Sequence, residues 1–127
     1  MALFEQVARA TKFVRGRDPR AVDVGVVLGS GLGAFSERIL DAHAIPYAEI
    51  PEFPRSSVPG HKGELVLGSI GDVKVAVLSG RVHYYEGYSI EQVTFPIRTL
   101  AALGVTRIIV TNAAGGLGPD HRTGDLM

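Results

Sequence analysis

Gly80-Arg81-Val82-His83-Tyr84-Tyr85-Glu86-Gly87-Tyr88 places a fixed cation, a titratable imidazole, phenols and a carboxylate within one short stretch. Arg81 carries a planar fork that grips an oxyanion and stays charged at any working pH. His83, two positions on, is suited to donate to the same anion or to move a proton. Glu86 lies close enough in sequence to orient the imidazole. So many polar groups leaving the end of an apolar run, Val73–Ser79, need partners, because buried polar groups without them are costly. The pattern suits a small anion with an acid/base residue beside it.

Two further loops have matching chemistry. Gly29-Ser30-Gly31-Leu32-Gly33 has the glycines that let a backbone approach an anion, and the Ser30 hydroxyl adds a donor. No Gly-Lys-Ser/Thr follows, so it is not a Walker loop, and Ala34-Phe35 spoils the third-glycine spacing of a dinucleotide fingerprint. Alone, this loop reads equally as a tight strand-to-helix turn. Asn112-Ala113-Ala114-Gly115-Gly116 has side chains too small to react and suits a backbone wall against a flat ligand, or a simple β-turn. His61, in Pro59-Gly60-His61-Lys62-Gly63, is either a further donor or an ordinary loop residue.

Composition narrows the ligand. Lys+Arg and Asp+Glu both number 13, with no run of like charge, which argues against a nucleic-acid or anionic-membrane footprint. With no cysteine, disulfides, thiolate nucleophiles and thiolate zinc sites are excluded. His43, His61, His83 and His121 show no metal-ligand spacing on one element, so no metal is expected. The first residues lack a basic-then-apolar leader, and no apolar run approaches the roughly 20 residues that cross a bilayer. A cytoplasmic protein is expected. At 127 residues, 46% of them hydrophobic, the chain holds one domain's worth of core. It stops at Gly124-Asp125-Leu126-Met127, a turn and the first apolar residues of what reads as another strand, so part of a longer chain is expected.

The positioning elements follow from periodicity. Leu3, Phe4, Val7, Ala10 and Val14 recur at helical spacing. Residues 22–28, 64–70, 73–79 and 106–111 read as strands, the middle two as a hairpin around Gly71-Asp72. Residues 35–40 read as a short helix, and 45–60, with four prolines, as an irregular loop. Ser89 with Gln92 predicts a capping box opening a helix that stops at Gly104. Pro96 either kinks that helix or marks a later start. The alternation predicts an α/β fold with a mixed central sheet flanked by helices. Loops 29–33, 80–88 and 112–116 each follow a strand, so they can converge where open sheets bind ligands.

Four segments in this order and at these separations resemble the trimeric, low-molecular-mass purine-nucleoside phosphorylases. They are residues 27–33, 53–61, 80–88 and 110–117, and the likeness runs from about residue 3 to the end. The chain follows the inosine/guanosine branch and not the methylthioadenosine branch at the Gly-Ser-Gly loop, the Arg-x-His segment and Asn-Ala-Ala-Gly-Gly. Residues 1–127 are then the N-terminal portion of a single nucleoside phosphorylase-like domain.

The resemblance implies phosphate-dependent cleavage of purine (deoxy)ribonucleosides such as inosine and guanosine to purine base and (deoxy)ribose 1-phosphate. It implies that Ser30, His61, Arg81, His83 and the Ala113 N–H hold phosphate, and that Tyr85 packs against ribose. Ala114 and Gly115 would line the base pocket, and Glu86 would position His83. His83 and Glu86 are the candidate catalytic residues. It also implies a homotrimer with inorganic phosphate as co-substrate and no other cofactor. The groups that hold the purine in the family lie beyond this chain's last residue. The alternative is a non-catalytic phosphate- or nucleoside-binding fragment that needs another chain.

Overall fold

The computed structural model describes residues 1–29, 31–55 and 63–127. Among these residues two α-helices, α1 (Leu3–Arg17) and α2 (Ile90–Ala102), accompany five strands. These are β1 (Val24–Leu28), β2 (Leu40–Pro46), β3 (Glu64–Ile70), β4 (Val73–Ser79) and β5 (Arg107–Val110). The strands form one sheet in the order β2-β3-β4-β1-β5. β1 pairs in parallel with β4 and β5, whereas β2–β3 and β3–β4 are antiparallel. The expected mixed α/β sheet is present, and both helices pack on one face of it.

The apolar runs explain this sandwich. In β1, β3 and β4 alternate side chains enter two different cores, so the strands lack a polar face. Val27, Leu65, Leu67, Ala76 and Leu78 meet Ala10 and Val14 of α1 and Phe95 and Leu100 of α2. Val26, Leu28, Val66, Val75 and Val77 point the other way, where Ile39 and Phe35 cover them. Burying a large aliphatic side chain contributes roughly 1.5–3 kcal/mol each, so this pair of layers dominates the stability.

α2 starts where its cap predicts. Ser89 Oγ accepts from the Gln92 N–H at 3.2 Å, and Gln92 Oε1 accepts from the Ser89 N–H at 2.9 Å. The helix runs on through Pro96, whose ring is buried, so Pro96 marks no later start. Phe4 departs from the predicted stripe: it is exposed, while Ala10, Thr11 and Val14 carry the packing of α1.

Residues 35–40 are not an α-helix. A 3₁₀ segment covers Gly33–Arg38 and leads into β2, a strand the periodicity did not reveal. Its sequence, Leu40-Asp41-Ala42-His43-Ala44-Ile45-Pro46, is mostly exposed and nearly free of β-branched residues. Pairing with β3 creates the strand, and Pro46 is tolerated because β2 is an edge. Within the described part of the 45–60 stretch, Tyr47–Glu49 forms a 3₁₀ turn.

A charged clasp joins α1 to this edge. Asp18, buried at the end of α1, accepts from Arg20 Nη2 at 2.6 Å and contacts His43 Nδ1 at 3.2 Å. Arg20 also donates to the carbonyls of Asp41 and Leu67, tying β2 and β3 to the helix. β5, at the opposite edge, leaves Ile108, Ile109 and Val110 exposed.

The Arg20 guanidinium hydrogen-bonded to Asp18 holds its carboxyl down from 3.8 to about 2. A depressed folded-state value means the unfolded chain binds the proton first. The clasp's contribution is therefore complete above about pH 4 and is lost as the pH falls toward about 2. Thermal melts across that range should show falling stability in the parent and a flatter slope in Asp18→Asn. An unchanged slope would contradict this account of the clasp.

Candidate functional site

Parallel pairing aligns the carboxyl ends of three strands. Leu28 of β1 stands beside Ser79 of β4, and Val27 stands beside Val110 of β5. The chain after each strand therefore leaves from one end of the sheet, with neighbouring roots about 5 Å apart at strand spacing. This brings together the starts of loops 29–33, 80–88 and 112–116, as the order of elements suggested.

Arg81 is half-buried and donates from Nη1 to the Thr111 carbonyl at 2.9 Å. One of its donors is thus spent on fixing the guanidinium between two strand ends. The backbone at its base is also held, because the buried Tyr47 hydroxyl donates to the Gly80 carbonyl at 2.7 Å. Burial pushes the Tyr47 phenol above its ordinary range, so it serves as a donor. The Tyr47 ring stands where a side chain at Gly63 would go: an added Cβ would lie 2.1 Å from it. Tyr47 therefore anchors the chain at both Gly63 and Gly80.

His83 and Glu86 form the predicted pair, and a single 3₁₀ turn, Tyr84–Glu86, builds it. Glu86 Oε2 accepts from the His83 backbone N–H at 2.6 Å and lies 3.0 Å from its Nδ1. A carboxylate only accepts, so Nδ1 carries the proton and Nε2 is left as the ring's outward nitrogen. Tyr85 stacks on the imidazole with centroids 4.8 Å apart and planes 18° apart. Its ring is exposed, so Tyr85 is a lid on His83 and not a core residue.

The glycine loop differs from its simplest reading. The Gly29 N–H is already taken by Thr111 Oγ1 at 2.7 Å. Donors for an anion must therefore come from beyond Gly29. Ser30 and His61 lie outside the described residues. Ala113, Ala114 and Gly115 are exposed in the stretch after β5, as a wall facing a ligand requires. Sequence reasoning missed Thr111 and Tyr47: Thr111 closes the 106–111 run that reads as a strand, whereas Tyr47 follows β2, which no local pattern marks.

Among the described residues no group of three or more His, Cys, Asp or Glu is placed to hold a metal ion. No helix among them is long and apolar enough to cross a membrane. A surface depression on α1, lined by Arg9, Lys12, Phe13, Gly16, Arg17 and Pro51, includes no residue of these loops. Its arginines pair with Glu52 and Glu49, as on an ordinary solvated helix face.

Tyr47→Phe should cost about 1 kcal/mol, because the Gly80 carbonyl loses its donor while the ring packing survives. Chemical denaturation measures that loss, and amide exchange should speed up around Gly80–Val82. Unchanged stability and exchange would show that the hydroxyl anchors nothing.

The family model for the phosphorylase superfamily matches residues 23–127. Purine nucleoside phosphorylase 1 of Bacillus subtilis is 49% identical over 123 residues, covering 97% of this chain and 45% of the relative. Purine nucleoside phosphorylase of Rattus norvegicus is 43% identical over 124 residues, covering 98% and 43%. Isoform 2 of the Schistosoma mansoni enzyme, solved with cytosine and ribose-1-phosphate, superposes with a TM-score of 0.88 at 41% identity. That match covers 96% of this chain and 43% of the solved one. The chain thus spans less than half the length of these relatives. With its sheet, its loops and these matches taken together, the chain belongs to the phosphorylase superfamily, alongside the purine nucleoside phosphorylases.

Proposed function

We propose that this chain is the phosphate-holding part of a purine nucleoside phosphorylase. Phosphate attacks the anomeric carbon of a purine (deoxy)ribonucleoside. A C–O bond forms, the C–N bond to the base breaks, and the departing purine takes up a proton. The products are purine base and (deoxy)ribose 1-phosphate. The observation that carries this reading is the junction at Thr111, where Arg81 and the root of the glycine loop meet, with His83, two residues after Arg81, paired to Glu86. Ribose-1-phosphate in a similar solved enzyme supports the same chemistry.

In this reading Arg81, His83, Ser30, His61 and the Ala113 N–H hold the anion. Tyr85 packs against the ribose, and Ala114 and Gly115 border the base. Glu86 positions His83. The transition state resembles an oxocarbenium ion, as in glycoside hydrolysis. A phosphate dianion fixed below the ring stabilises that charge and then collapses onto it. Inorganic phosphate is the co-substrate, and no other cofactor is required. Donors for the leaving purine come from the portion present in the longer relatives. We place the assembled enzyme in the cytoplasm as a homotrimer.

Purine release from inosine should require phosphate. Arg81→Ala should raise the phosphate needed by about tenfold to a hundredfold, the loss of a charge-assisted contact, with nucleoside binding nearly intact. Equal loss of both would contradict the role of Arg81. If the chain alone releases no base, the C-terminal half of a relative is added as a separate chain. No phosphate-dependent release even then would leave a non-catalytic binding fragment.

A further inference from the structure

Thr111 directly follows β5 and meets the roots of the loops that leave β1 and β4. Its Oγ1 accepts from the Gly29 N–H at 2.7 Å and donates to the Val27 carbonyl at 2.8 Å. Its N–H reaches the same Val27 carbonyl at 3.1 Å. Its own carbonyl accepts from Arg81 at 2.9 Å. One residue therefore connects the ends of β1 and β5 and the first cation of the loop after β4.

The fit leaves little slack. A Cβ on Gly29 would sit 3.1 Å from the Thr111 carbonyl oxygen and 3.1 Å from the Asn112 Cα. A side chain at position 29 would crowd the very carbonyl that receives Arg81. A hydroxyl offers one proton and two lone pairs, so it can donate to Val27 and accept from Gly29 at once. Valine has the same shape and can do neither; serine can do both.

We propose that Thr111 is a positioning residue of the phosphate site. Its hydroxyl locks the roots of the Gly29 and Asn112 loops at one separation, and its carbonyl then presents the Arg81 guanidinium at a fixed place. Thr111 touches no substrate and acts through Arg81 and the two loops. An untethered arginine side chain loses rotamer freedom on gripping an anion. Tethering Arg81 beforehand removes part of that penalty, which is preorganisation in the usual sense. The inference rests on the phosphate reading above.

The test compares Thr111→Val and Thr111→Ser in the full chain. Inorganic phosphate is titrated by calorimetry, and exchange of the Gly29 amide is followed separately. Thr111→Val should bind phosphate about tenfold more weakly, the scale of one lost net hydrogen bond, and expose the Gly29 amide. Thr111→Ser should stay close to the parent on both counts. If Thr111→Val fails to fold, Thr111→Ala replaces it in the same comparison. Parent-like phosphate binding without the hydroxyl would overturn the proposal. So would equal weakening in the serine variant, which would assign the effect to the lost methyl. A parent that takes up no phosphate would overturn the phosphate reading and this proposal with it. The Gly29 amide would still report whether the hydroxyl locks the loop roots.

Discussion

Parallel pairing of β1 with both β4 and β5 is the constraint on which the site depends. Antiparallel neighbours would send their following loops to opposite ends of the sheet. Three adjacent parallel strands send all of them to one end. The pairing survives because apolar layers cover both faces of β1 and β4, with α1 and α2 on one side and the Phe35–Ile39 turn on the other. Core burial, which has no direction, thus sets the position of directional hydrogen bonds at the strand ends.

Those hydrogen bonds are mostly internal. Gly80 is held by Tyr47, Gly29 and Arg81 by Thr111, and His83 by Glu86. Each leaves a reactive or binding group fixed before any ligand arrives. For a reaction whose transition state carries positive charge on a sugar ring, the nucleophile's placement matters more than its basicity. On the function proposed above, a rigid anion cradle suits that task. The exposed Ile108, Ile109 and Val110 of β5 lie at the sheet edge, on the strand that leads into Thr111. An uncovered apolar strand edge favours association with another segment. The longer relatives, of which this chain covers 43–45%, have further chain with which to cover it.

Much of this was legible in the residues. The runs at 64–70 and 73–79, the Ser89–Gln92 cap and the stop at Gly104 depend on local chemistry, and they appear in the structure as read. The His83–Glu86 pair was legible because three-residue spacing is local too. β2 was not, since its residues have weak strand preference and pairing with β3 alone makes it a strand. Thr111 and Tyr47 were hidden for a related reason. Their partners lie 82 and 33 positions away, and no local pattern marks a hydroxyl that bridges strand ends. The glycine loop was half legible: its place after β1 was clear, but the engagement of the Gly29 N–H was not.

The central claim is that the three strand-end loops form one anion site. Isotope-labelled chain titrated with inorganic phosphate and followed by NMR tests it most directly. The account predicts that signals from Gly31, Arg81, His83 and Ala113 move together along a single binding curve. Shifts at Arg9 and Lys12 of α1, with the loop signals unmoved, would contradict it.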